Sequence, residues 1–268
     1  MQYIALNNGI TMPSIGLGTY ELCGQKGVKI MQNALQIGYR LFDTAQMYNN
    51  EKELGIAIAQ SPQHLQRNDL FITTKLSSSM PYKKAWQSIE GSLQNLGLEY
   101  VDLLVIHAPY ANAKEMYKAC EEAYHKGLIR AIGISNFYGR FLEDFLDSVR
   151  VKPVLNQVQA HIFFQQNDLK KFLESKNIHL QAWSPLACGR NDIFTNETLQ
   201  SIAKAHHKST AQIALKFLLD KGISVIPKAS SLKRLQENLA CFDFNLTQQE
   251  IDSITQLDTN KSLFGWDC

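Results

Sequence analysis

The chain has 268 residues, 45% of them hydrophobic and 19% charged, and its 27 basic against 25 acidic side chains leave a formal charge of +2. That composition excludes disordered, collagen-like and membrane-embedded classes, and the near balance excludes a whole-protein field drawing the chain to nucleic acid or a lipid surface. The five cysteines, Cys23, Cys120, Cys188, Cys241 and Cys268, lack a CxxC pair or a His/Cys cluster, which argues against a metal site and suits reduced thiols. The opening MQYIALNNG has no basic segment before an apolar core, and no run of about 18 apolar residues occurs, so neither a secretion signal nor a membrane span is expected and the cytoplasm is the expected location.

In chain order, Tyr3 to Leu6 and Ile10 to Met12 flank Asn7-Asn8-Gly9 and read as a hairpin, since Asn-Gly tolerates the positive φ of a tight turn. Short β-rich runs follow near Ile15 to Gly18, Tyr39 to Phe42, Leu70 to Thr74, Val101 to Ile106, Ala131 to Ile134, Val154 to Val158, His179 to Trp183 and Ser224 to Ile226. Between them lie helical periodicities with stop signals: Trp86, Ile89, Leu93 and Leu96 before Gly97, and Met116, Cys120 and Ala123 before Gly127. Ser231 to Leu239 and Thr247 to Leu257 read as closing helices, the second opened by a capping box of Thr247 and Glu250. Eight alternating units match an α/β fold of the (β/α)₈ TIM barrel type, typically about 250 residues, with the N-terminal β-hairpin plugging one end of the barrel. A doubly wound open sheet is the competing topology. No linker or repeat divides residues 1–268, so one domain is expected.

Barrel chemistry gathers at the C-terminal ends of the strands. There the second strand ends in Asp43, with Tyr48 five residues on; the third ends in Lys75 and the fourth in His107. Singly, each has a structural reading: a helix cap, a half-buried aromatic, a surface lysine, a loop histidine. Together they suit carbonyl protonation. A tyrosine hydroxyl near its ordinary pKa of about 10 gives up a proton poorly, an adjacent ammonium stabilises the phenolate, and a carboxylate keeps a cleft lysine charged. On that logic Lys75 lowers the pKa of Tyr48, Asp43 holds Lys75 protonated, and His107 orients a carbonyl oxygen.

The residues that carry this chemistry also carry a resemblance. GYRLFDTAQMYNNE at 38–51 is similar to the strand-two signature of the aldo-keto reductases, and LGT at 17–19, TTK at 73–75, DLLVIHAP at 102–109, IRAIGISNF at 129–137, NQVQ at 156–159, AWSPL at 182–186 and IPK at 226–228 resemble further blocks of that family in order. The resemblance covers nearly the whole chain. It implies Asp43, Tyr48, Lys75 and His107 as the catalytic set, and NADPH as cofactor without a Rossmann GxGxxG loop. It also implies a cofactor cleft of Gly18, Thr19 and Tyr20; Ser135, Asn136 and Gln157 at the carboxamide; Trp183 stacked on the nicotinamide; and Ser184 and Leu186 along the pyrophosphate. Lys228, Ser230, Ser231 and Arg234 resemble the 2′-phosphate clamp, with Glu237 and Asn238 at the adenine. Seven Lys or Arg against two acidic residues between Ser201 and Asn238 agree with a phosphate there.

The pocket expected from the resemblance comprises Tyr20, Met47, Tyr48, His107, Ala108, Tyr110 and Trp266, with no charged member, which fits an aldehyde or ketone. A monomer is expected, with no nucleic-acid or membrane partner. Ala108 stands where many members have Trp, Ala187 where they have Gly, Ala229 where they have Ser, and Gln159 and Ile162 where they have Glu and Pro. With Ala108 and an end soon after Leu263, a wide cleft like that of prokaryotic aldehyde, methylglyoxal and keto-sugar reductases is expected. The alternative is a regulatory or redox-sensing nucleotide-binding subunit on the same barrel with little turnover.

Overall fold

In the computed structural model, which describes residues 2–61 and 65–265, the chain starts with antiparallel strands β1 (Tyr3–Ala5) and β2 (Thr11–Pro13). Leu6 donates to Ile10 O at 2.9 Å and Gly9 to Leu6 O at 3.0 Å, and in this turn only Gly9 takes a positive φ, +85°. The connection is therefore the three-residue Asn7-Asn8-Gly9 loop expected, and of its residues only the glycine uses the positive φ, forming the bulge. Asn7 donates to Pro153 O and Asn177 O, and Asn8 to Arg130 O. All three acceptors lie in loops entering barrel strands, so the hairpin is tied across the N-terminal end.

Eight parallel strands follow: β3 (Leu17–Gly18), β4 (Leu41–Asp43), β5 (Phe71–Leu76), β6 (Leu103–Ile106), β7 (Ile132–Ser135), β8 (Leu155–Gln159), β9 (His179–Trp183) and β10 (Ser224–Val225), paired in sequence order. The ring closes where Ile15 bridges Val225 in parallel. There Gly16 donates to Val225 O at 2.9 Å, Val225 to Ser14 O at 2.9 Å, and Gly18 to Pro227 O at 3.3 Å. An open doubly wound sheet would leave both of those strands as edges, so closure settles the topology as a barrel. Gly18 is needed at the seam, because a Cβ there would lie 2.6 Å from Ile226 O.

Side chains alternate across each strand, and the alternation sorts the core in two. Leu41, Phe71, Leu103, Val105, Ala131 and Leu155 fill the barrel interior together with Leu6 and Met12 of the hairpin. Phe42, Ile72, Leu104, Ile106, Ile132, Ile134 and Val158 face outward to the helices. Each such side chain is worth about 1.5–3 kcal/mol of burial. The same alternation turns Asp43, Lys75, Ser135, Gln157 and Trp183 inward at the opposite end.

The helices are α1 (Gly24–Gln36), α2 (Glu51–Ala59), α3 (Tyr82–Leu96), α4 (Ala113–His125), α5 (Gly139–Leu146), α6 (Asn167–Ser175), α7 (Glu197–His206), α8 (Thr210–Asp220), α9 (Leu232–Leu239) and α10 (Gln248–Thr255). Gly97 caps α3 at φ +64°, Gly127 follows α4 at φ +75°, and the Thr247–Glu250 box opens α10. The crossover from β9 to β10 contains two helices. Asn196 and Ser209 cap them through their side chains, and His207 at φ +53° breaks the chain between them. Among the described residues no helix is long and apolar enough to cross a membrane.

Candidate active site

Inward-pointing strand ends bring the candidate residues together. Lys75 is fully buried, and its Nζ donates to Asp43 Oδ1 and, at 3.0 Å, to Thr44 O. The second Asp43 oxygen accepts from Gln157 Nε2 at 2.7 Å, and the other Gln157 proton goes to Gln181 Oε1 at 2.8 Å. Tyr48 arrives on a 3₁₀ turn, Gln46–Tyr48, with its ring 5.0 Å from the Lys75 ammonium. His107 stands edge-on to that ring at 5.8 Å, and Tyr20 does so from another side at 5.1 Å.

Burial governs the electrostatics. It raises the Tyr48 pKa above its ordinary value; the Lys75 ammonium opposes the rise and the Asp43 carboxylate adds to it. Lys75 thus acts in the direction expected, but desolvation outweighs it in the free protein and the net shift is upward. Burial also disfavours a charged Lys75, but Asp43 and then Tyr48 overcome it, and the lysine stays protonated with a pKa above the usual. His107 is driven down to about 3, by burial first and by Lys75 second. It is a neutral imidazole near pH 7, suited to hydrogen bonding with a carbonyl oxygen and not to carrying charge.

Several supporting residues were not singled out in the sequence. Ser77 Oγ lies 3.1 Å from His107 Nδ1 and accepts from the Met47 amide at 3.2 Å, joining the histidine to the Tyr48 turn. Gln46 anchors that turn on α3 through Ser88 and Ser92. Asn50 accepts from Thr44 at 2.6 Å and donates to Thr19 O and Leu22 O. Buried Glu51 accepts from Thr74 and Asn95. Gln46, Asn50 and Glu51 lie within the 38–51 block and Ser77 just past the end of β5, but nothing in the sequence showed which partners they meet.

The candidate cofactor residues run from this cluster to β10 and α9. Asn136, at φ +61°, donates to His107 O and Ser135 Oγ and accepts from Trp183 Nε1 at 2.9 Å, which fixes the indole. Ser135 donates to Gln157 O. Thr19 is fully buried with its hydroxyl on Asp43 O, so it holds the Asp43 strand end. Ser184 Oγ lies 2.7 Å from Cys188 Sγ, and Ser184, Ala187 and Cys188 all have positive φ. Ala187 thus holds a left-handed conformation that glycine adopts more readily, while Leu186 packs half-buried on the outer core. Lys228, Ser230, Ser231 and Arg234 are exposed at the start of α9, where Ser231 Oγ caps the Arg234 amide. Glu237 is half-buried, Asn238 is buried, and Ala229 is buried beside the exposed Lys228.

At the mouth, Tyr20 and Met47 are 55% and 56% exposed, while Tyr48, His107, Ala108 and Tyr110 are half-buried. Trp266 lies outside the described residues. Phe264 packs on Trp183 at 5.5 Å under the Arg190 guanidinium, and Ser262 donates to Gln159 Oε1 at 2.6 Å. Gln159 therefore has a structural use: it receives the segment that lies over Trp183. Nothing in the structure explains Ile162 as a functional substitution. No group of three or more potential metal ligands occurs among the described residues.

Residues 14–259 match the profile of the aldo/keto reductase family. The chain is 38% identical to the glyoxal reductase of Bacillus subtilis over 96% of its length and 93% of that protein's. It is 37% identical to the methylglyoxal reductase DkgA of Yersinia pestis, over 97% and 94%. The crystal structure of MGS-M4, an aldo-keto reductase enzyme from a Medee basin deep-sea metagenome library, superposes with a TM-score of 0.93 at 38% identity, covering 97% of each chain.

Proposed function

The chain belongs to the aldo/keto reductase family, and we propose that it reduces small aldehydes and ketones with NADPH, Tyr48 donating the proton, as a cytoplasmic monomer whose residues 1–268 form a single domain. The observation that carries this reading is the buried Lys75 ammonium held between Asp43 and Tyr48, with a neutral His107 across the phenol.

The residues fit the cofactor. Gln157 has both amide protons engaged by Asp43 and Gln181, so its oxygen remains to accept from a carboxamide. Trp183 is locked by Asn136 as a flat stacking surface. Lys228, Arg234 and the capped N-terminus of α9 offer cations and amides to a phosphate dianion. NADPH, when bound, supplies the hydride.

The chain's own residues handle the proton. His107 holds the carbonyl oxygen near the Tyr48 hydroxyl, and as negative charge builds on that oxygen the hydroxyl proton transfers to it. Lys75 stabilises the phenolate left behind, Asp43 keeps Lys75 charged throughout, and solvent later returns a proton to Tyr48. The mouth formed by Tyr20, Met47 and Tyr110 is apolar and favours small uncharged carbonyls. Glyoxal and methylglyoxal, the substrates in the two relatives' names, have that character.

The test is a panel of aldehydes and ketones followed by loss of NADPH or NADH absorbance. Turnover of several 2-oxoaldehydes with NADPH supports the proposal. Nucleotide binding without turnover of any carbonyl contradicts it and leaves the regulatory alternative.

A further inference from the structure

We propose that Glu21 is a selectivity determinant for the cofactor, because its carboxylate holds Lys228 in the free protein and competes with a 2′-phosphate for that ammonium. The inference rests on reading Lys228 as part of the phosphate clamp.

The barrel seam brings the two residues together. β3 and β10 close the ring, with Gly18 donating to Pro227 O, so the loop leaving β3 runs beside the loop leaving β10. Three residues past Gly18 and one past Pro227, Glu21 Oε2 accepts from Lys228 Nζ at 3.1 Å. The position of Glu21 is set by its backbone. It lies at φ +63°, in the left-handed region that favours glycine, inside a turn closed by Leu22 N donating to Thr19 O at 2.9 Å. The Asn50 amide grips that turn from behind at Thr19 O and Leu22 O, and Leu22 is buried beneath it. A glutamate held in an unfavoured conformation, on a loop pinned at both ends, points its carboxylate at the lysine.

The pair is open to water, with the side chains 38% and 63% exposed, so it is weak enough to be displaced. An exposed ion pair of this kind is worth at most about a factor of five in an equilibrium constant. A phosphate dianion approaching Lys228 must break the pair and then bear the repulsion of a carboxylate a few ångströms away. NADH carries a free 2′-hydroxyl and meets neither penalty. Glu21 therefore narrows the gap between the two nucleotides and, because salt screens its competition as well as the attraction of Lys228, makes phosphate binding less sensitive to salt.

The experiment is fluorescence titration of the full chain with NADPH and with NADH at low and moderate ionic strength, for wild type, Glu21→Gln and Lys228→Met, with thermal melts confirming that each variant folds. Glu21→Gln keeps the side-chain length and removes the charge. It is expected to tighten NADPH by about two- to ten-fold while NADH changes by less than two-fold; Lys228→Met is expected to weaken NADPH selectively. If Glu21→Gln leaves the ratio of the two dissociation constants unchanged while Lys228→Met weakens NADPH alone, the role of Glu21 is overturned and the clamp stands. If Lys228→Met shifts both nucleotides equally or neither, the clamp reading fails and the inference falls with it.

Discussion

Replacing Lys75 with Met separates the two things the buried pair does. The lysine is fully buried and the Asp43 side chain is 2% exposed, so Lys75→Met strands a carboxylate whose remaining side-chain donor is Gln157 Nε2 at 2.7 Å. Breaking a buried pair from one side costs about 3–5 kcal/mol, which for a domain of this size corresponds to a fall of roughly 6–20 °C in Tm. The double variant Asp43→Asn/Lys75→Met removes both charges and is expected to recover most of that loss, because exchanging a whole buried pair for neutral groups is often neutral or better. Activity should not recover. Lys75 is the main influence opposing the burial-driven rise of the Tyr48 pKa, so without it kcat should fall by about 10² to 10⁴ in both variants. The assay is single-turnover reduction of methylglyoxal by saturating NADPH, beside thermal melts of all three proteins. A double variant with a third or more of wild-type turnover would refute the electrostatic role of Lys75. One as unstable as the single variant would refute the stranded carboxylate as the cause of the lost stability.

Three further outcomes follow from particular residues. His107 has a folded pKa of about 3 against an ordinary 6.5, so the unfolded chain binds the proton more readily; its contribution to stability is complete above pH 6.5 and is lost as pH falls toward 3. His161 and His179, both lowered to about 4 by burial, act with the same sign, so melts from pH 7 to 4 should show a shallower loss in His107→Gln than in wild type, and an identical slope would contradict the assignment. Arg234→Ala should weaken NADPH by about 10- to 100-fold, the worth of one charge-assisted hydrogen bond, with little change for NADH; equal losses in titrations of both would remove it from the 2′-phosphate. Ala108→Trp should narrow the mouth beside His107 and reduce kcat/KM most for the bulkiest aldehydes. A size series showing a uniform loss would mean that the ring displaces His107 instead of filling the pocket.

The barrel was legible because period-two alternation and glycine stops are local properties. Asp43, Lys75 and His107 each end a run of β-formers, so counting strands was enough to set them on one rim. Its closure was legible only through the count of eight units, which favoured a barrel over an open sheet; the seam itself, where Ile15 meets Val225 across almost the whole chain, was not. The break between α7 and α8 was hidden because His207, neither glycine nor proline, takes the left-handed conformation there. In the site, residue types suggested the proton-transfer set and the direction in which Lys75 acts on Tyr48, but not the net upward shift: spacing shows which charges are near and not how much water is lost. Ser77, Asn50 and Glu51 act through side-chain partners made only by folding, and Glu21 meets Lys228 only because the barrel closes.

The central claim is that Tyr48 supplies the proton within an otherwise intact site. The most direct measurement is single-turnover reduction of methylglyoxal by Tyr48→Phe under saturating NADPH, with the NADPH dissociation constant taken from the same preparation. The account predicts a rate lower by about 10² to 10⁴ with NADPH affinity within about two-fold of wild type, since the hydroxyl donates to substrate and not to cofactor. A variant that retains a third or more of the wild-type rate would contradict it.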